Sequence, residues 1–202
     1  MCVQAGSNNS QQTDHRSIMP RFLLHLVLAG FAPIFAIAGT LNNTTSICQQ
    51  LNSRLPGRIS YPGNPAYSHS LSSYYSAQER ALEPSCIFTP TQTSEVSQFV
   101  KLIDAHDNAP FAIRGGGHTL WTGAANIQGG VTVDMRSMKS LALSDDHKVV
   151  SVGGGARYSD LYPQLDPHNL TIMGGRVPGI GVGGFSTGGK YHDPPNPISV
   201  VI

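Results

Sequence analysis

Residues 114–123, RGGGHTLWTG, place three glycines between an arginine and a histidine, and the apolar run FAI (111–113) feeds straight into them. A short β-branched and aromatic run ending in consecutive glycines reads as a strand followed by a bare turn. Without Cβ atoms, successive main-chain N–H groups in such a turn can point inward and approach an anion closely. A second glycine-rich bend, GGRVPGIGVGGFSTGG, runs from Gly174 to Gly189 behind another apolar run, LTIM. Two bends of this kind so close in sequence exceed what ordinary turns require, and together they predict a dinucleotide site.

Two familiar phosphate motifs can be laid on the second bend. Gly179, Gly181 and Gly184 fit G-x-G-x-x-G, and Gly184 to Lys190 fits most of G-x-x-x-x-G-K-[ST]. The first needs an opening helix and an acidic residue about 20 positions on within a βαβ unit, whereas the chain here runs into YHDPPNP. The second lacks its Ser/Thr, because Tyr191 follows Lys190, and prolines at 194, 195 and 197 oppose the helix that would follow. Neither motif is assigned, and a nucleotide hydrolase is set aside with them.

The 202 residues suit one ordinary domain, and 40% hydrophobic residues can build its core. A net charge of +1 with 12% charged residues excludes the basic stripe that nucleic acid requires. Arg21 precedes FLLHLVLAGFAPIFAIAG, an apolar run ending in small residues, which reads as a secretory signal peptide cleaved near Ala38. Pro33 and the polar TLNNTT leave that run short of the about 20 apolar residues of a membrane anchor. Residues 1–38 are therefore expected to be a leader and signal peptide, with Met19 a more usual start, and the mature protein is expected to be extracellular and off the membrane. Cys2 goes with the leader. Cys48 and Cys86 remain; an oxidising route favours pairing them, and two separate buried thiols are the alternative. Asn42, Asn43 and Asn169 each begin an N-x-[ST] sequon, which predicts a glycoprotein.

Residues 39–81 are an N-terminal arm, and between Leu51 and Pro84 the chain, rich in Ser, Tyr, Pro and Gly, reads as extended with one helical turn at SAQERAL (76–82). From Ser94, Val96, Phe99, Val100 and Ile103 recur at helical spacing, which predicts an amphipathic helix ending near Asp107-Asn108. FAI, GVTVDM (130–135), KVVSVG (148–153) and LTIMGG (170–175) each predict a strand. RYSDLYPQL (157–165) predicts a helix with Tyr158, Leu161, Tyr162 and Leu165 on one side, weakened by Pro163. The pattern is α+β. His69, His106, His147, His168 and His192 stand alone, and no cluster of metal-ligating spacing occurs, so no metal is expected.

In order, ALEPSCIFTPTQTSEV (81–96), FAIRGGGHTLWTGAANIQGGVTVDMRSMKSLAL (111–143), VVSVGGGARYSDLYPQL (149–165) and LTIMGGRVPGIGVGGFSTGG (170–189) resemble the FAD-binding domain of fungal berberine-bridge-enzyme-like oxidases. These belong to the vanillyl-alcohol oxidase group, whose FAD domain is of PCMH type. The resemblance covers about residues 65–189. It implies that the first bend, Arg114, Gly115, Gly116, Gly117, His118, Thr119, Thr122 and Gly123, cradles the FAD diphosphate, and that His118 is joined covalently to the 8α carbon of the flavin. It implies further that Gly174, Gly175, Val177, Gly179, Gly181, Val182, Gly183 and Gly184 lie against the cofactor. Val177 stands before Pro178 where some members carry a second attaching cysteine, so at most one covalent bond is expected. The family's disulfide is matched by Cys48 and by Cys86 in PSCI. Arg114 has two readings, support of the phosphates or a salt bridge that shapes the loop.

The function so implied is hydride transfer from a substrate C–H to flavin N5, with oxygen as acceptor and a small-molecule alcohol, sugar or secondary metabolite as substrate. Residues 82–189 correspond to the N-terminal part of the FAD domain, and KYHDPPNPISVVI (190–202) resembles nothing in the family. The substrate domain and its catalytic base, commonly a tyrosine or an acidic residue, have no counterpart, so no catalytic residue or oligomeric state is assigned. Gly189-Lys190-Tyr191 can be encoded by GGTAAGTAY, which contains a splice-donor word and suggests translation into a retained intron. From another class of function, the competing expectation is a noncatalytic secreted fragment that binds flavin weakly or not at all.

Overall fold

The structure, a computed structural model, describes residues 32–106, 109–188 and 199–201. Phe35–Ile202 form one compact unit. The expected leader, the sequon at Asn42 and the His192 reading fall outside the described side chains. No helix among the described residues is long and apolar enough to cross a membrane.

Helix α1 (Ala32–Arg54) places Ile47, Cys48, Leu51 and, just past its end, Leu55 on one buried stripe. Strand β1 (Ile59–Ser60) follows, then α2 (Pro65–Ser72) and α3 (Ala77–Arg80). Both short helices start on side-chain caps: Asn64 accepts from Ala66 N, and Ser76 accepts from Glu79 N. Pro65 occupies the first turn of α2, where its missing N–H costs nothing. The one helical turn expected at SAQERAL is α3, and the segment read as extended is thus about half helical. Its apolar spacing is weak because it is held by long-range polar contacts, among them Tyr67 Oη donating to Pro84 O at 2.8 Å.

Strand β2 (Cys86–Phe88), helix α4 (Thr93–Asp104), β3 (Phe111–Arg114) and β4 (Val131–Asp134) complete the first layer. The sheet order is β1-β2-β4-β3; β1 is antiparallel to β2, and β4 is parallel to both β2 and β3. All four β4 residues are buried, as befits a central parallel strand. Phe99 and Leu102 of α4 pack with Ile47, Leu51, Phe88, Val131 and Val133 into one core. The Cys48–Cys86 disulfide is formed and ties α1 to β2.

A second layer begins with β5 (Leu141–Leu143), antiparallel to β6 (Val149–Val152). Helix α5 (Tyr158–Leu165) buries Tyr158, Leu161 and Leu165 as its spacing predicts. Pro163 is tolerated because, in so short a helix, it forgoes only one interior hydrogen bond. These residues pack with Val150 and Val152 and with Val182 of α6 (Val182–Thr187) into a separate core. Strand β7 (Ser199–Val201) pairs parallel with β6.

Two sequence expectations are corrected here. LTIMGG forms no strand: Ile172 is buried against the second core, but the run has no partner to complete a ladder. A short helix, α6, does open after Gly181, with no strand immediately before it; the parallel strands that flank α5 and α6 in the chain are β6 and β7.

Candidate functional site

Strand β3 delivers Arg114 into the first bend, and its side chain turns beneath the bend. The guanidinium is completely buried; it donates to Ser70 O at 2.7 Å and Ser73 Oγ at 3.0 Å, and lies 3.6 Å above the Tyr74 ring. Asp134 stands 3.7 Å away and also accepts from Ser70 Oγ at 2.7 Å and Arg136 Nε at 2.8 Å. Burial pushes Arg114 down to about 10 against the pull of Asp134, so it remains charged at neutral pH. For Asp134, burial favours the neutral acid, but Arg136 and then Arg114 outweigh it and hold the carboxyl below its ordinary range. Of the two readings of Arg114, the geometry supports loop shaping, because its terminal guanidinium nitrogens are engaged by Ser70, Ser73 and Asp134. Gly117, at φ +69°, bends the chain over this guanidinium, and a Cβ there would meet Arg114 Nε at 2.7 Å.

The two glycine-rich bends touch backbone to backbone. A Cβ on Gly116 would lie 2.7 Å from Gly181 Cα, and one on Gly181 would lie 2.8 Å from Gly116 Cα, so only glycine allows this approach. Arg157 fastens the junction: a guanidinium nitrogen donates to Gly116 O at 2.9 Å, while Arg157 and Gly181 form an isolated antiparallel bridge. Tyr158 N donates to Ile180 O at 3.0 Å and Val182 N to Ala156 O at 2.9 Å.

Beside the junction lies a cavity of about 530 Å³. Gly115, Gly116, Gly117, His118 and Thr119 line one side, and Ile180, Gly181, Gly184 and Phe185 another; Ile113, Ala124 and Ala125 complete the wall. Glu79 sets that wall, since its buried Oε1 accepts from both Ala124 N and Ala125 N at 2.9 Å. The main-chain N–H groups of residues 116–119 donate to no protein group among the described residues, and all four residues line the cavity. No lining residue carries a carboxylate. A dinucleotide diphosphate fits such a donor set: free amides, a nearby arginine and no competing negative charge.

His118 lies at the mouth of the first bend. Its imidazole stacks on Tyr75, ring centroids 4.0 Å apart and planes within 15°, and a Cβ on Gly179 would come 3.2 Å from its Cδ2. The remaining predicted residues divide. Gly179 borders the histidine, whereas Val182 is fully buried in the second core. Gly174 lies against the Tyr158 ring, Gly175 against Ile180, and Gly183 against the Gly154 carbonyl, so these three serve packing behind the cavity wall. Thr122, Gly123 and Val177 are exposed outside the lining. Thr122, Gly123, Gly174, Gly175, Val177, Gly179, Val182 and Gly183 are thus not among the residues that line the cavity. Sequence reasoning missed Tyr75, Arg157, Ala124, Ala125 and Phe185. The glycine run at 153–155, with Arg157 close behind, was the available signal; nothing local marks Tyr75.

The FAD binding domain family matches residues 84–192. Among curated proteins, the FAD-dependent monooxygenase sdcF of Emericella nidulans is 38% identical over 144 residues, 71% of this chain and 30% of the relative. The FAD-dependent monooxygenase CTB5 of Cercospora beticola is 37% identical over 157 residues, with 74% and 30% covered. This chain therefore spans about 30% of the length of these relatives. Among solved structures, wild-type Physcomitrella patens BBE-like 1 superposes with a TM-score of 0.58 at 26% identity, over 68% of this chain and 29% of the other. The 6-hydroxy-D-nicotine oxidase of Arthrobacter nicotinovorans shares the fold, with a TM-score of 0.55 at 23% identity over 62% and 27%.

Proposed function

This chain belongs to the family of PCMH-type FAD-binding domains, and from that premise we propose that it holds FAD at the junction of its two glycine-rich bends, with His118 as the point of covalent attachment. The observation that carries the reading is the main-chain contact between Gly116 and Gly181, which brings both bends and the His118 imidazole to one cavity. The free N–H groups of residues 116–119 bind the diphosphate, and Arg157 adds positive charge behind Gly116. Ile113, Ala124, Ala125, Ile180 and Phe185 form an apolar wall that keeps water from a planar ring.

Attachment replaces one N–H bond of the imidazole and one C–H bond of the flavin methyl with a C–N bond. The two electrons and two protons released go to an oxidant, for which dioxygen suffices. Bound FAD supplies a two-electron acceptor for a hydride from a substrate C–H, and the FAD-dependent monooxygenase names of the relatives support dioxygen as the final acceptor. The substrate is a small molecule. Extracellular location and glycosylation are part of the same proposal, supported by the Cys48–Cys86 disulfide and by exposure of the Asn169 sequon.

Mass measurement tests this directly. Intact wild-type protein exposed to FAD is expected to gain a single FAD-sized increment that survives acid, and His118→Ala is expected to show none. Folded wild-type protein with neither the increment nor yellow colour would overturn the proposal.

A further inference from the structure

We infer that Tyr75 is a positioning residue for His118, its phenol ring setting the plane in which the imidazole meets the flavin; this rests on the attachment proposed above. The His118 ring makes no hydrogen bond to a protein group among the described residues, so no polar contact fixes its rotation. What borders it is Tyr75, stacked at 4.0 Å and 15°, and the Gly179 main chain near Cδ2. A histidine with one ring face against an aromatic and an edge against a glycine is confined to a slot.

Tyr75 is suited to this and to little else. It is 60% exposed, belongs to neither hydrophobic core, and yet its backbone is held firmly. Tyr75 N donates to Gly117 O at 3.0 Å, one residue before the histidine. On one side Tyr74 is anchored by its hydroxyl, which donates to Ala125 O at 2.7 Å, and by its ring beneath Arg114. On the other side Ser76 caps α3. An aromatic ring so placed restrains imidazole rotation by offset stacking, and orienting a nucleophile before attack is a large part of its effective concentration.

The test uses the full chain. In flavin-free protein, the His118 Hδ2 and Hε1 resonances, assigned by their loss in His118→Ala, are expected upfield through the Tyr75 ring current. They should stay upfield in Tyr75→Phe and return toward ordinary histidine positions in Tyr75→Leu. On incubation with FAD in air, Tyr75→Phe is expected to form acid-stable flavin at the wild-type rate and Tyr75→Leu at least about tenfold more slowly, with noncovalent FAD affinity unchanged in both. Wild-type attachment rates in Tyr75→Leu, or unmoved His118 resonances, overturn the role of Tyr75. Wild-type protein that binds FAD and forms no acid-stable flavin overturns the attachment reading, and the role of Tyr75 in attachment with it.

Discussion

At position 114 a full positive charge is held out of water by Ser70, Ser73, Asp134 and the face of Tyr74. Removing it leaves Asp134 with one cation, Arg136, and a void beneath the bend. Arg114→Ala is expected to cost about 3–5 kcal/mol in urea unfolding. Arg114→Lys should recover only part of that, because one ammonium cannot fork between two serines. Asp134 also gives acid sensitivity a definite sign. Its folded pKa lies below its unfolded value, so its contribution is complete above the unfolded pKa, about 4, and is lost as pH falls through the lower folded value. Glu95 adds in the same direction: burial opposes the charge, but the Thr91 amide and Arg58 outweigh it. Urea midpoints are expected to hold between pH 7 and 5 and to fall below about pH 4, less steeply in Asp134→Asn. That an arginine and a histidine bracket the glycines was legible in the sequence. That one points into the protein and the other lines the cavity was not, since Ser70, Asp134 and Tyr75 are distant in the chain.

Among the elements, α1 and β2 are joined covalently, and that join closes a loop containing β1, α2 and α3. Cys48→Ser together with Cys86→Ser is expected to cost about 2–5 kcal/mol, seen as a lower thermal midpoint that dithiothreitol no longer changes. Helices with strong apolar periodicity, α4 and α5, were legible because burial on one face writes itself into local spacing. The helical turn expected at SAQERAL is α3; the cap Asn64 also lay in the sequence, yet α2 was passed over because its stabilising contacts come from elsewhere: Tyr67, for one, donates to Pro84 O at 2.8 Å. LTIM failed in the opposite sense, since β-branched content without a partner strand does not make a sheet.

Two hydrophobic cores share this unit, one on α1, α4 and the first sheet, the other on β6, α5 and α6. The first bend leaves the former, the second bend leads into the latter, and they meet at Gly116 and Gly181. A ligand bridging them binds the folded state alone, so FAD at 100 times its Kd is expected to stabilise the chain by about 2.7 kcal/mol, read as a rise in thermal midpoint. Gly181→Ala should abolish that rise and cost about 1–3 kcal/mol without ligand, because the added methyl forces the bends apart. By itself the sequence determined the chemistry of each bend, the even charge balance and the helices whose spacing is periodic, for these are local properties of composition and order. Only the tertiary structure decided that the bends touch, that Arg114 serves the loop and that Tyr75 faces His118. Each of those depends on residues far apart in the chain being packed together, and no local pattern records such a meeting.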